Sequence, residues 1–275
     1  MIHKAKKSLG QNFLKSTLAI KKIIEAGEIS LNDIILEIGP GKGILTRQLL
    51  ATTSCQLIAV EKDYNLYEIL KNEFKKEILS GQLRLINDDI LKFNLESYKL
   101  KAKSYKILAN IPYNITGAIL KKFLGEINQP EMMILMVQNE VAKRIIGETK
   151  NPSTRLRVKE SILSISVKVY GDPKIIMKVP SRYFSPAPKV DSAIIAIKNI
   201  SRKTFIENNI NEEKFWEIIH AGFAHKRKKL ASNLKTLLKN GGIASATTLK
   251  NKRAEELSLA DWINIIKSID INKKE

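Results

Sequence analysis

Apolar residues in the first half of this chain come in short runs that end in an acid, an amide or a glycine turn, and each run is followed by a stretch with helical spacing. Ile34-Ile35-Leu36, Leu57-Ile58-Ala59-Val60, Leu83-Arg84-Leu85-Ile86, Ile107-Leu108-Ala109 and Met132 to Val137 are such runs. Their length and β-branched content predict buried strands. Between them, Ser16 to Ala26 closed by Gly27, and Asp63 to Leu79 closed by Gly81, predict helices with glycine at the C-terminus. Gln138 to Ile145 predicts another. Strand and helix alternate from about residue 16 to about 165, which predicts an α/β fold with a doubly wound, mainly parallel sheet. Strand-like Val167-Lys168-Val169-Tyr170 and Ala193 to Ile197 then bracket a proline-rich segment, Phe184 to Ser192. A polar stretch at 199–211 is followed only by helical spacing, in Glu212 to Ala224, Lys226 to Lys239 and Ala254 to Ile269. The division expected is a domain over 1–200 and a small all-helical one over 201–275.

Charge changes this picture most. Across 275 residues, 47 Lys and Arg against 28 Asp and Glu leave a formal net charge of +19, an excess that points to a polyanionic partner. The excess is clustered. Lys4, Lys6 and Lys7 precede the first element, and Lys226, Arg227, Lys228 and Lys229 fall within the spacing of a predicted helix. A membrane partner is not expected, because the apolar runs fall far short of the ~20 residues a spanning helix needs. The basic N-terminus lacks the apolar region of a signal peptide, so a cytoplasmic location is expected. Cys55 is the only cysteine, and His3, His220 and His225 show no ligand spacing, so neither a disulfide nor a metal site is expected.

The first chemical motif is Glu37-Ile38-Gly39-Pro40-Gly41-Lys42-Gly43, a strand end, a glycine turn and the start of a helix. Such a turn lets backbone approach a nucleotide closely. A dinucleotide fingerprint needs its third glycine at position 44, which is Ile44, so NAD is disfavoured. Glu61 ends the second strand about twenty residues after the glycines, where an acid would hold a ribose diol. Asp88 and Asp89 end the third strand. Each acid alone could simply cap the next helix, as Asp63 can; three successive strand ends with acids point to a ligand-binding carboxyl edge.

The second motif, Asn110-Ile111-Pro112-Tyr113, follows the fourth strand. It resembles the motif of amino methyltransferases that act on adenine N6 or cytosine N4 with S-adenosylmethionine. The residue types suit that chemistry. An exocyclic amine is a poor nucleophile because its lone pair is delocalised, and acceptors aimed at its N–H groups relocalise it. Asn110 Oδ1 and a backbone carbonyl, that of Ile111, can be those acceptors. Pro112 fixes φ and stiffens the turn, and Tyr113 offers a face for an extruded base.

Lys6 to Leu14, the two motifs above, Val137 to Arg144, Phe184 to Ser192 and Phe223 to Leu230 together resemble the small-subunit (16S) rRNA adenine dimethyltransferase family over almost the full length. The resemblance implies a Rossmann-like class I methyltransferase sheet with a small helical domain. It implies donor contacts at Gln11, Asn12, Leu14, Gly39, Gly41, Glu61, Asp89, Ile90 and Asn110, with Asp89 preferred over Asp88 because two apolar residues follow it. It implies Phe184 as a second aromatic, sandwiching the target base against Tyr113, and phosphate docking by Lys226, Arg227, Lys228 and Lys229. The implied reaction is dimethylation of two adjacent adenines near the 3′ end of 16S rRNA in the small ribosomal subunit, by a monomer that uses S-adenosylmethionine and no metal and serves late subunit biogenesis. The large-subunit rRNA methyltransferases share the fold and the Asn-Ile-Pro-Tyr motif, but Leu9 to Leu14 and Phe184 to Ser192 favour the small-subunit enzyme. The family's Tyr-Gly-Arg-Leu-Ser-like stretch departs here to Ser153-Thr154-Arg155-Leu156-Arg157-Val158.

Overall fold

The five apolar runs are the five parallel strands of one sheet: β2 (Ile34–Ile38), β3 (Gln56–Glu61), β4 (Leu83–Asn87), β5 (Tyr105–Asn110) and β6 (Met132–Gln138). The computed structural model, which describes residues 5–6, 9–52, 55–102, 104–147, 159–235 and 251–271, adds β7 (Asp172–Val179) and β9 (Ser192–Lys198) to that sheet. The order is β4-β3-β2-β5-β6-β9-β7, with β9 antiparallel to both its neighbours. A separate two-stranded sheet pairs β1 (Phe13–Leu14) with β8 (Phe184–Ser185). Five of the six residues of β3 and six of the seven of β6 are buried, as expected of strands covered on both faces. Between β2 and β5 the strand order reverses direction, and the crevice beyond the carboxyl ends at such a point is where open α/β sheets bind ligands.

The helices beside this sheet are α1 (Thr17–Ala26), α2 (Ile44–Thr52), α3 (Tyr64–Glu73), α4 (Lys75–Leu79), α5 (Thr116–Gly125) and α6 (Asn139–Ile146). Ser16 caps α1 by accepting from Ala19 N at 3.3 Å, and Ala19, Ile20 and Ile23 form its buried stripe. Gly27 does end α1, but not by the left-handed conformation expected of it: its φ is −72°, and Glu28 takes the positive value of 45°. Glycine is needed at 27 for space, since a Cβ there would lie 2.9 Å from Leu108 Cδ2. The helix predicted over Asp63 to Leu79 is broken at Phe74, where φ −101° and ψ 30° turn the chain between α3 and α4.

Cα packing divides the chain into two compact units, Met1–Ala142 with Gly171–Ile200, and Lys143–Tyr170 with Ser201–Glu275. One boundary falls after Ile200, where the sequence also divides, whereas the described residues of 143–147 and 159–170, expected in the first domain, group with the second unit. Part of the reason is Val167 to Tyr170, which is not a strand. Ser161 and Ser164 form a reciprocal capping box that starts α7 (Ile162–Lys168), and this local bonding overrides the β-branched alternation. Tyr170 then stacks near Trp216 and Phe205 and donates its hydroxyl to Glu212 at 2.5 Å. The strand that partners β9 is instead β7, directly after Tyr170 and Gly171.

The rest of the second unit comprises α8 (Lys203–Asn208), inside the stretch read as polar and irregular, α9 (Glu212–Phe223), α10 (Leu230–Asn233) and α11 (Leu259–Ile271). The helix expected over Lys226 to Lys239 is not continuous. Asn233 Nδ2 donates to the carbonyls of Gly222 (2.6 Å) and His225 (3.1 Å), which satisfies the end of α9. Lys226 to Lys229 consequently lie in an exposed turn, not inside a helix. Residues 236–239, like Lys4, Lys7 and Ser153 to Val158, lie outside the described residues.

Candidate active site

A cavity of about 190 Å³ opens beyond the carboxyl ends of β2, β3, β4 and β5. Its lining brings together Gln11, Asn12, Leu14, Gly39, Gly41, Glu61, Asp88, Asp89, Ile90, Asn110, Pro112 and Tyr113, so every donor contact expected from the sequence lies here. Phe184 and Lys226 to Lys229 do not line it.

The glycine turn forms its floor. Gly39, Gly41 and Gly43 have φ of 64°, 62° and 71°, which side chains rarely adopt. A Cβ on Gly39 would meet nothing within 4 Å, so backbone faces open space there. At Gly43 a Cβ would fall 2.8 Å from both Leu70 and Phe74, so this glycine instead lets α3 pack closely on the turn.

The acids at the strand ends are held in two ways. Glu61 is buried and accepts from Gly41 N at 3.0 Å on one oxygen and from Asp63 N at 2.8 Å on the other. Burial pushes its carboxyl up, the backbone donors of Asp63, Gly41 and Lys62 pull it back, and the Asp63 charge adds to the rise. Each oxygen keeps a second lone pair, the acceptor capacity a ribose diol requires. Glu37 is 1% exposed, and burial raises it to about 8 against a 2.7 Å bond from Thr46 Oγ1, with the Glu61 charge adding to the rise. Asp89 behaves oppositely. Lys62 Nζ at 2.8 Å holds it below the usual carboxylate range, burial opposes this, and Leu91 N at 3.0 Å reinforces it. Asp88 accepts from Asp89 N at 2.7 Å, which fixes the strand-end turn.

The N-terminal segment forms one wall, pinned at three places. Asp63 takes Lys6 Nζ at 2.7 Å and Gln11 Nε2 at 2.9 Å, Asn12 O accepts from Asn110, and β1 pairs with β8. Although burial works against it, Asp63 is held low by Lys6, Gln11 and Asn65 N. Asp63 therefore does cap α3, accepting from Asn65 N at 3.1 Å, while also anchoring the wall. Phe184 pairs with Leu14 in the β1–β8 ladder and is 2% exposed among core side chains that include Leu14, Ala19 and Ile20. Phe184, expected to sandwich the base against Tyr113, is buried in the core and does not line the cavity that Tyr113 lines. It supports the Leu14 wall from behind.

Asn110 stands at the last position of β5. Its Nδ2 donates to Asn12 O at 3.3 Å, which fixes the amide orientation and leaves Oδ1 as its acceptor, unused among the described residues. Pro112 and Tyr113 carbonyls accept from Ile115 N (3.3 Å) and Thr116 Oγ1 (3.1 Å), which closes the turn. Tyr113, half-buried, bonds through its hydroxyl to Ser192 Oγ at 2.5 Å, and burial pushes that hydroxyl up while the Ser192 bond pulls it down. Thr46, Asp63 as an anchor, Lys62 and Ser192 were missed by sequence reasoning. Only Thr46, on the helix that follows the glycine turn, carried a local signal.

Two comparisons decide the family. The model of the family described as ribosomal RNA adenine dimethylase matches residues 2–271. A ribosomal RNA small subunit methyltransferase A of Dehalococcoides mccartyi is 38% identical over 270 residues, covering 94% of this chain and 86% of its own length. The chain belongs to the ribosomal RNA adenine dimethylase family. A relative of the same description from Nostoc sp. is 37% identical and covers 94% and 96% of the two chains. Among solved structures, a dimethyladenosine transferase from Plasmodium falciparum superposes with a TM-score of 0.75 at 25% identity, covering 95% of this chain and 98% of its own. The 23S rRNA methyltransferase ErmE superposes with a TM-score of 0.73 at 23% identity, a likeness of fold. The sheet is thus that of a Rossmann-like class I methyltransferase, and this dimethylase is an S-adenosylmethionine-dependent rRNA methyltransferase. The open glycine turn, the ribose-competent acid at β3 and the apolar Ile38 and Ile90 beside them fit that donor.

Proposed function

We propose that this dimethylase transfers methyl groups to N6 of each of two adjacent adenines near the 3′ end of 16S rRNA, within the small ribosomal subunit, giving N6,N6-dimethyladenosines. The orientation of Asn110 carries the reading: a fixed amide, its acceptor unused among the described residues, lines one cavity with the glycine turn, Glu61 and Tyr113. S-adenosylmethionine, when bound, supplies a methyl group already activated on a sulfonium. The chain's own work is positional and electrostatic. Asn110 Oδ1 accepts from the adenine amine, with the Ile111 carbonyl as second acceptor, and draws the lone pair back onto nitrogen. Pro112 holds that turn rigid, and Tyr113 stacks the extruded base, a contact of about 1 to 3 kcal/mol. Gly39, Gly41, Glu61, Asp89 and Ile90 hold the donor, with Gln11, Asn12 and Leu14 as its other wall. No step calls for a metal, and among the described residues no group of three or more His, Cys, Asp or Glu could hold one.

The small subunit is favoured as the substrate by the 36–38% identity to several proteins described as small subunit methyltransferase A. No described helix is long and apolar enough to cross a membrane. A cytoplasmic monomer that acts late in small-subunit biogenesis is the setting this reading requires. Mass spectrometry of nucleosides from unmethylated small and large subunits, treated side by side with the donor, tests it. N6,N6-dimethyladenosine is expected from the small subunit, and modification of the large subunit alone would overturn the reading. Asn110→Ala lowers transfer by about a hundredfold or more, the scale of losing one preorganised polar contact to a transition state, with RNA binding retained. Unchanged turnover in that variant would remove Asn110 from the mechanism.

The exposed Lys226-Arg227-Lys228-Lys229 turn supplies phosphate contacts, with affinity but no sequence information. Reversing these four charges is expected to flatten the dependence of RNA affinity on salt by about 0.7 to 0.9 in log–log slope for each phosphate that is no longer neutralised. An unaltered slope would make the turn a solvated surface only.

A further inference from the structure

Ser192 lies far from the two sequence motifs, yet it holds the ring on which the base is proposed to stack. It is the first residue of β9 and fully buried. Because β9 runs antiparallel to β6, its beginning lies at the carboxyl edge of the sheet, opposite Gln138 on β6 and Val179 on β7. The residue before it is fastened as well. Asp191 O accepts from Asn139 N at 3.0 Å, and Asp191 Oδ1 accepts from Ser181 N at 3.0 Å. Ser192 Oγ is thus a fixed point, and the Tyr113 hydroxyl meets it at 2.5 Å.

Tyr113 itself belongs to a single 3-10 turn, Tyr113–Ile115, which follows β5. Two interstrand spacings of ~4.8 Å separate β5 from β9. The Tyr113–Ser192 bond links the turn after β5 to the start of β9. One end of the ring is set by the turn that also carries Asn110, and the other by the sheet. A ring held at one end only could swing about χ1; with its hydroxyl, which lies on the ring axis, held as well, that axis keeps one direction beside the Asn110 acceptor.

We infer that Ser192 is a positioning residue for methyl transfer: it tethers Tyr113 so that the stacked adenine keeps its amine in line for the first methylation and again for the second. The inference rests on the proposed base-stacking role of Tyr113. The second transfer is the more demanding, because the amine then carries a methyl group and has one fewer N–H with which to find its acceptors. A loosened ring therefore lowers dimethylation more than monomethylation.

The test uses the full chain with Ser192→Ala, Tyr113→Phe and the double variant on unmethylated small subunits. Each single change removes the same bond from opposite ends, and the second does so without altering the buried strand. Each is expected to lower kcat about tenfold, on the scale of one hydrogen bond's contribution, and the double variant no further than the singles. The ratio of N6-methyladenosine to N6,N6-dimethyladenosine should rise, while the dissociation constant for S-adenosylhomocysteine stays within about twofold of wild type. Wild-type kcat and product ratio in Ser192→Ala, losses that multiply in the double variant, or an equal loss of donor affinity would each overturn the inference. A wild type that methylates no small-subunit particle overturns the functional reading instead. In that case the ring resonances of Tyr113 decide about the tether, which requires them to shift in Ser192→Ala and is refuted if they do not.

Discussion

Lys106 at the amino edge of the central sheet and Glu37 with Glu61 at its carboxyl edge are buried in opposite ways. At the amino edge Lys106, with its side chain 6% exposed, donates to Asp33 Oδ2 and to Glu28 O, each at 2.8 Å. At the carboxyl edge Glu37 and Glu61 are equally buried, yet among the described residues neither is paired with Lys or Arg. A backbone amide or a hydroxyl stabilises a carboxylate less than a cation does, so burial prevails and both groups are raised. The amino edge spends its charge on the fold. The carboxyl edge leaves acceptor capacity at a cost in stability, the pattern expected of a ligand site.

Breaking the amino-edge pair should give the largest stability effect of the two edges. Lys106→Ala leaves Asp33 without its cation and opens a cavity beside β5, and a buried pair broken from one side typically costs about 3 to 5 kcal/mol. Asp33 is partly solvated, which lowers the expectation to about 2 to 3 kcal/mol. Urea unfolding reads this, and calorimetric titration with S-adenosylhomocysteine should show donor affinity unchanged. Weakened donor binding with full stability would reverse the roles assigned to the two edges.

The carboxyl edge was also the more legible in the sequence. Strand ends, glycines and acids follow one another locally there, so Gly39, Glu61 and the Asp88-Asp89 pair could be placed before any fold was known, with the family resemblance choosing Asp89. Strands buried on both faces announce themselves as apolar runs, the helix expected from Ser16 to Ala26 forms, and Asp63 caps α3 as it could. The misread features were those decided at a distance. Phe184 is buried by pairing with Leu14, about 170 residues earlier. Val167 to Tyr170 has strand-like residues but obeys two serines and packs against α9. The basic turn follows α9 because Asn233, beyond it in sequence, satisfies the helix end. Lys106, just before an apolar run, gave no sign that Asp33 and Glu28 would receive it.

A smaller effect is expected at Glu61, and it should fall on binding. Glu61→Gln preserves shape but can accept from only one of the two backbone donors, Gly41 N and Asp63 N, and loses the charge that strengthens a bond to a ribose hydroxyl. Donor affinity should fall about tenfold, within the range of one hydrogen bond to a charged group, with stability altered by less than about 1 kcal/mol. An unchanged dissociation constant for S-adenosylhomocysteine would show that Glu61 only braces the glycine turn.

The last effect is read through pH. Glu37 has an ordinary value of 4.5 and is raised to about 8 in the folded chain. Between those values the folded state therefore binds more protons than the unfolded state, and stability falls as pH rises. The stabilising contribution is fully present below about 4.5 and is lost as pH passes through about 8. Glu37→Gln keeps an acceptor for Thr46 and removes the titration, so its stability from pH 5 to 9 should decline less steeply than that of the wild type. Urea midpoints for the two proteins across that range measure the difference. Parallel curves would mean that Glu37 carries its charge in the folded chain without penalty, and the contrast with the cation-paired amino edge would then rest on Glu61 alone.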